Sequence, residues 1–120
     1  MKEPATISID LKKNRIRVHK AMLHKLGDPK YIQLLVNPQS GAVAIRCIDV
    51  PLSGEPLHKV TEQKLHSDNS YEIYSRSFLL QLIELVPTIG KSGLFRMDGE
   101  VLPSEKMAVF FLHTLRRIDQ

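Results

Sequence analysis

Ile7, Ile9 and Leu11 alternate with Thr6, Ser8 and Asp10. This period of two predicts a strand with one face in a core and the other in solvent. Lys12-Lys13-Asn14 supplies a turn, and Arg15-Ile16-Arg17-Val18-His19 alternates again. With Ile16 and Val18 turned inward, Arg15, Arg17 and His19 project together on the outer face. A short helix follows over 20–26, with Met22, Leu23 and Leu26 on one side. Gly27 is placed to end it in the left-handed conformation, and Pro29 stands where a helix cannot continue.

Residues 31–36 are apolar and rich in strand formers, and 37–41 (Asn-Pro-Gln-Ser-Gly) are dense in turn residues. Val43, Ile45 and Cys47 then alternate with Ala44 and Arg46, which completes a β-hairpin with a five-residue loop. Pro51, Gly54 and Pro56 break the pattern. Residues 57–65 are ambiguous between strand and helix, and 67–70 are a second loop signal. The stretch 51–70 therefore reads as a connector with room for one short element. A strand is expected over 71–74. Ser75 or Ser77 then caps a helix that runs to Leu85-Val86 and stops before Pro87. Phe78, Leu79, Leu82 and Ile83 give that helix a wide apolar face. Strands are expected over 94–97 and 107–112, with Asp98-Gly99 as a tight turn between them. Val101 and Leu102 extend the pairing until Pro103 interrupts it. The tail, 113–120, carries Arg116 and Arg117 and reads as helical or frayed.

Strand, short helix and paired strands thus occur twice. A shift of 56 residues places Val18, Met22, Leu23 and Leu26 on Tyr74, Phe78, Leu79 and Leu82, and Lys20 on Arg76. With a larger offset the hairpin 31–47 corresponds to 94–112. A unit of ~35 residues is too small to bury a core alone, so two copies sharing one core make physical sense. The expected fold is a single α+β domain over 1–120. It comprises a lobe at 5–50, the connector, a second lobe at 71–112 and the tail.

The run Asn14 to Gly27, followed by the hairpin 31–47, resembles the AbrB-type swapped-hairpin domain. In that family a strand reads Gly-Arg-x-x-Ile-Pro, a short helix ends in Leu-Gly, and a two-stranded hairpin follows. Arg15, Val18, Leu26 and Gly27 fit this pattern, and the resemblance covers residues 5–47. Asn14 replaces the usual Gly, His19 the usual Pro, and Leu23 an Arg that the family often carries on the helix. The resemblance implies a strand-rich, AbrB-like β-barrel with short helices. It also implies duplex DNA binding in transcription regulation or as an antitoxin. The family forms intertwined dimers, so here the second half either replaces the partner subunit or adds a distinct lobe.

Composition and charge bear on function. Of 120 residues, 42% are hydrophobic and 25% charged, which excludes wholesale disorder. No apolar run approaches the ~18 residues of a membrane span, and the first residues lead into no signal-peptide core. A cytoplasmic protein without a membrane role is the expectation. The lone Cys47 excludes an intrachain disulfide framework and a multi-cysteine zinc site, and it reads as a small buried hydrophobe. The net charge is +4, but residues 1–30 alone hold eight Lys/Arg against three acids, or +5. Lys12, Lys13, Arg15, Arg17, Lys20 and Lys25 are accordingly the candidate DNA-binding residues, on the turn, the outer strand face and the helix side. The alternative is a protein-interaction module, a homodimer included, that uses apolar surface of the second half. An enzyme is disfavoured: no Walker loop, nucleophile elbow or dinucleotide glycine pattern is present. His19 and His24 are five apart and share no helix face, and the glutamates are scattered. No catalytic, cofactor-binding or metal residues are expected, and no small-molecule substrate is evident.

Overall fold

The opening alternation folds as a hairpin. β1 (Glu3–Asp10) and β2 (Arg15–His19) pair antiparallel, with Ile7 opposite Val18 and Ile9 opposite Ile16. Asn14 takes the left-handed conformation in the turn, φ 53°, which Asn tolerates through local hydrogen bonding. In the computed structural model, which describes residues 3–50, 57–60 and 70–119, this hairpin lies in the middle of a continuous sheet.

Helix α1 (Lys20–Lys25) follows β2 directly and buries Met22 and Leu23, with Leu26 buried just beyond it. It ends at Gly27, φ +90°, after which the Asp28 N–H donates back to the Leu23 carbonyl at 3.0 Å. β3 (Tyr31–Asn37) and β4 (Ala42–Ile48) form the next hairpin. In its loop the Asn37 side chain accepts from the Gln39 and Ser40 N–H groups at 3.1 and 3.2 Å. β5 (His58–Lys59) pairs with β3, so the ambiguous stretch is strand at those two residues. Most of the expected connector, 51–56 and 61–69, lies outside the described residues.

β6 (Ser70–Tyr74) pairs antiparallel with β2. Ser75 then caps α2 (Arg76–Leu85), its Oγ accepting from the Phe78 N–H at 3.3 Å. Phe78, Leu79 and Leu82 are buried as the periodicity requires. β7 (Leu94–Leu102), β8 (Met107–Phe111) and β9 (Arg116–Arg117) complete the chain.

The strand order is β5-β3-β4-β8-β7-β1-β2-β6, with β9 beside β7. The sheet curls until its two end strands approach, the Tyr71 hydroxyl donating to the Lys59 carbonyl at 3.5 Å. The result is a nearly closed, strand-rich barrel with two α-helices among the described residues. Both helices and the inner faces of β1, β2, β4, β6, β7 and β8 contribute to one apolar cluster.

Two expectations fail here. Asp98-Gly99 is no turn: β7 runs straight through it. The Gly99 Cα faces the β8 backbone so closely that an added Cβ would stand 1.8 Å from the Val109 carbonyl oxygen. Glycine serves a close backbone approach at this point, which is its other use in strands. The chain reverses instead at Pro103–Glu105, with Lys106 left-handed at φ 53°. Nor is the tail helical or frayed beyond a single turn at Leu112–Thr114. Arg116 and Arg117 pair with Arg96 and Phe95. The Thr114 hydroxyl pins the approach, accepting from the Asp98 N–H at 2.8 Å and donating to the Phe111 carbonyl at 2.6 Å.

Candidate functional site

Strand register decides which outward side chains meet. Glu72 lies opposite Arg17, Arg17 opposite Ser8, Ser8 opposite Arg96, and Arg96 opposite Arg116. One row across β6, β2, β1, β7 and β9 therefore carries three arginines around a serine. Beside it, His19 faces Ser70 and Thr6 faces Asp98. Together these positions line an open groove of about 600 Å³: Thr6, Ser8, Arg17, His19, Ser70, Arg96 and Arg116, with Val18.

Carboxylates hold the two ends of the row. Arg17 donates to Glu72 at 2.9 Å, and Arg15 reaches the same carboxylate at 3.0 Å. The hydrogen bond from Arg17, reinforced by the Arg15 charge, keeps Glu72 below the usual carboxylate range. At the other end Arg116 binds Asp98 through both Nη atoms, at 2.9 and 3.3 Å. Thr6 donates to the same carboxylate at 3.3 Å. Arg116 is the main cause of the lowered Asp98 pKa. Arg96, exposed between these pairs, has no hydrogen-bonded or ion-paired partner among the described residues.

The sequence-predicted cations divide into three groups. Lys12 and Lys13 are exposed in the β1–β2 turn, and Arg15 and Arg17 stand on the adjoining outer face. Lys25 lies on α1 and pairs with Glu3 at 3.0 Å, at the far end of β1. At ~3.3 Å per residue that is roughly 25 Å from the turn. Lys20 departs most from expectation. It is 3% exposed, and its Nζ has no hydrogen-bond partner among the described residues. As the first residue of α1 it enters the helix at the end of β2 and turns inward with Met22 and Leu23. The six cations therefore do not converge on one surface.

Arg96 and Arg116 come from outside the basic N-terminal third. The alternation Leu94-Phe95-Arg96-Met97-Asp98 signals that Arg96 faces outward. Only the β1–β7 register puts it beside Arg17.

Other chemistry is sparse. Burial, helped by the nearby Asp49, pushes the Cys47 thiol up to about 12 against the opposing pull of Lys106. Among the described residues no three His, Cys, Asp or Glu side chains are grouped to hold a metal ion. No helix among them is long and apolar enough to cross a membrane. A second groove, of about 410 Å³, lies on the opposite part of the sheet and is lined by Leu35, Val36, Ala44, Met107 and Val109 among others. Comparison with family models, curated proteins and solved structures gives no match to this chain.

Proposed function

We propose that this is a non-enzymatic DNA-binding protein of regulatory or antitoxin-like role. It engages duplex DNA through the Lys12–Lys13 turn and the adjoining Arg15 and Arg17. The observation that carries this reading is the turn itself. Both lysines are exposed at a barrel tip with no ion pair among the described residues, and they continue directly into the arginine-bearing face. Lys20 and Lys25 fall outside the contact set for the reasons of burial and distance given above.

The order of elements supports an AbrB-like origin for the first half: strand, six-residue helix, hairpin. Two pairings support a duplicated architecture. β2 lies against β6 and β4 against β8, each antiparallel. These are the elements equated by the internal repeat, and a two-fold relation between halves brings like strands together in this way. On this reading one chain carries both halves of what the family builds from two subunits.

Fluorescence anisotropy with a labelled duplex tests the proposal. Neutralising about four phosphates gives a slope of log K against log salt of roughly −3.6. Replacing Lys12, Lys13 and Arg17 by Ala together should abolish the binding. A salt-insensitive signal, or an unchanged affinity in the triple variant, would refute it. The apolar groove at Leu35, Ala44, Met107 and Val109 favours a second reading, a protein-interaction module without a nucleic-acid role. That reading gains if the protein ignores DNA and its mass in solution exceeds that of a monomer.

A further inference from the structure

The groove centred on Ser8 has a property that the DNA reading does not use. Arg96 and Arg116 sit directly opposite each other on β7 and β9. Like charges at directly opposed positions destabilise a sheet pair. Asp98 ion-pairs with Arg116 and also feels the Arg96 charge, but Arg96 itself makes no hydrogen bond or ion pair among the described residues. Two strands away Arg17 uses only Nη2 on Glu72. Adjacent strands are ~4.8 Å apart, so Arg17 and Arg96 flank Ser8 across about 10 Å at the backbone, and their long side chains can close on one ligand atom group. The hydroxyls of Ser8 and Ser70 line the same space, and neither has a hydrogen bond among the described residues.

We propose that this groove binds a phosphate monoester. Its terminal phosphoryl group would sit over Ser8 between Arg17 and Arg96, with Arg116 at the rim. Planar guanidinium forks match phosphate oxygens, and hydroxyl donors satisfy the remaining ones. A monoester is nearly dianionic at neutral pH and offers three free oxygens, enough for two guanidinium groups and a hydroxyl at once. The volume of about 600 Å³ lies within the range of small-molecule sites and suits a ligand larger than the phosphate alone. Glu72 and Asp98 would repel an anion if they stood free. Each is instead engaged by an arginine and holds it at the groove edge.

The inference does not depend on DNA binding, because its central residue is Arg96 and not the lysine turn. The test uses the full chain, with inorganic phosphate and glycerol 3-phosphate as probes at constant ionic strength. Arginine Nε–Hε resonances are followed in ¹⁵N-correlated NMR spectra. Saturable shifts of Arg17 and Arg96 are expected, and the affinity read at Arg17 should fall ~10- to 100-fold in Arg96→Met, the loss of one charge-assisted contact. Arg96 is exposed, so the variant should melt as the parent does, and Arg96→Lys should retain part of the affinity. Linear, non-saturating shifts, the same response to chloride, or undiminished binding in Arg96→Met would overturn the proposal. Equal affinity for a dinucleotide phosphodiester would overturn the monoester assignment. Duplex binding that survives Arg96→Met but fails in the Lys12→Ala/Lys13→Ala variant, with no phosphate binding, removes this inference and leaves the DNA reading standing. Saturable phosphate binding by a protein that ignores duplex DNA does the reverse.

Discussion

Replacing Gly99 by alanine tests the account of β7 most directly. The new methyl would stand 1.8 Å from the Val109 oxygen and 2.7 Å from the Phe110 Cα, both backbone atoms of the paired strand. Since real Cβ contacts essentially never fall below 3.0 Å, the strands must part by more than 1 Å. No side chain can rotate away to relieve this. The displacement falls where Gly99 pairs with Phe110 and Glu100 with Val109. Two ladder hydrogen bonds at ~1 kcal/mol each are at risk. Overpacking adds ~1–3 kcal/mol. A total of ~3–5 kcal/mol is a large part of the ~5–15 kcal/mol that stabilises a domain. At ~4 °C per kcal/mol, Tm should drop by ~12–20 °C. Thermal melting followed by circular dichroism, with urea titration alongside, measures this. A drop below ~4 °C would mean that β7 and β8 are not in close contact at Gly99.

Three further outcomes follow from other positions. Lys20→Met replaces a buried lysine whose Nζ lacks a hydrogen-bond partner among the described residues with an apolar chain of similar length, and should stabilise by ~1–3 kcal/mol; a lowered urea midpoint would show that Nζ has a compensating contact. Glu72 has a folded pKa below its unfolded one, so its contribution is present above the ordinary glutamate pKa of ~4.3 and is lost as pH falls through the depressed value. Half-exposed, it is worth at most ~1 kcal/mol, and Glu72→Gln should narrow the difference in urea midpoint between pH 7 and pH 3. Cys47, with its thiol pushed up to about 12, should react with a disulfide reagent at pH 8 only as fast as the protein unfolds; rapid labelling of the folded protein would contradict its burial.

Local patterning made much of this architecture legible in the sequence. Strand alternation located β1, β2 and β4, an apolar run of strand formers located β3, the spacing of Phe78, Leu79 and Leu82 located α2, and Ser75 was one of the two serines read as its cap. Each of those signals is carried by neighbours along the chain. What escaped was carried by neighbours in space. Asp-Gly is a strong hairpin signal only where the chain is free to turn, and here β8 demands a glycine in mid-strand. Arg116-Arg117 is too short to show a period and becomes strand only because β7 offers it an open edge. For the site, alternation correctly placed Arg15, Arg17 and His19 outward. The cluster with Arg96 and Arg116 depends on a pairing between β1 and β7 that no local window contains. Lys20 misled because a lysine reads as solvent-exposed by default, whereas its position at the strand–helix junction points it inward.

The placement of β1 in mid-sheet bears on how the molecule assembles during synthesis. β1 emerges well before β7 and meets β2 at once, but its other flank must wait: 92 residues separate Thr6 from Asp98. Until then the nascent chain carries an open edge on the β1–β2 hairpin. Contacts this distant along the chain slow the search for the native state, and an uncovered edge invites association with a neighbouring chain. Ribosome-bound intermediates ending before β7 should therefore be the species most in need of a chaperone.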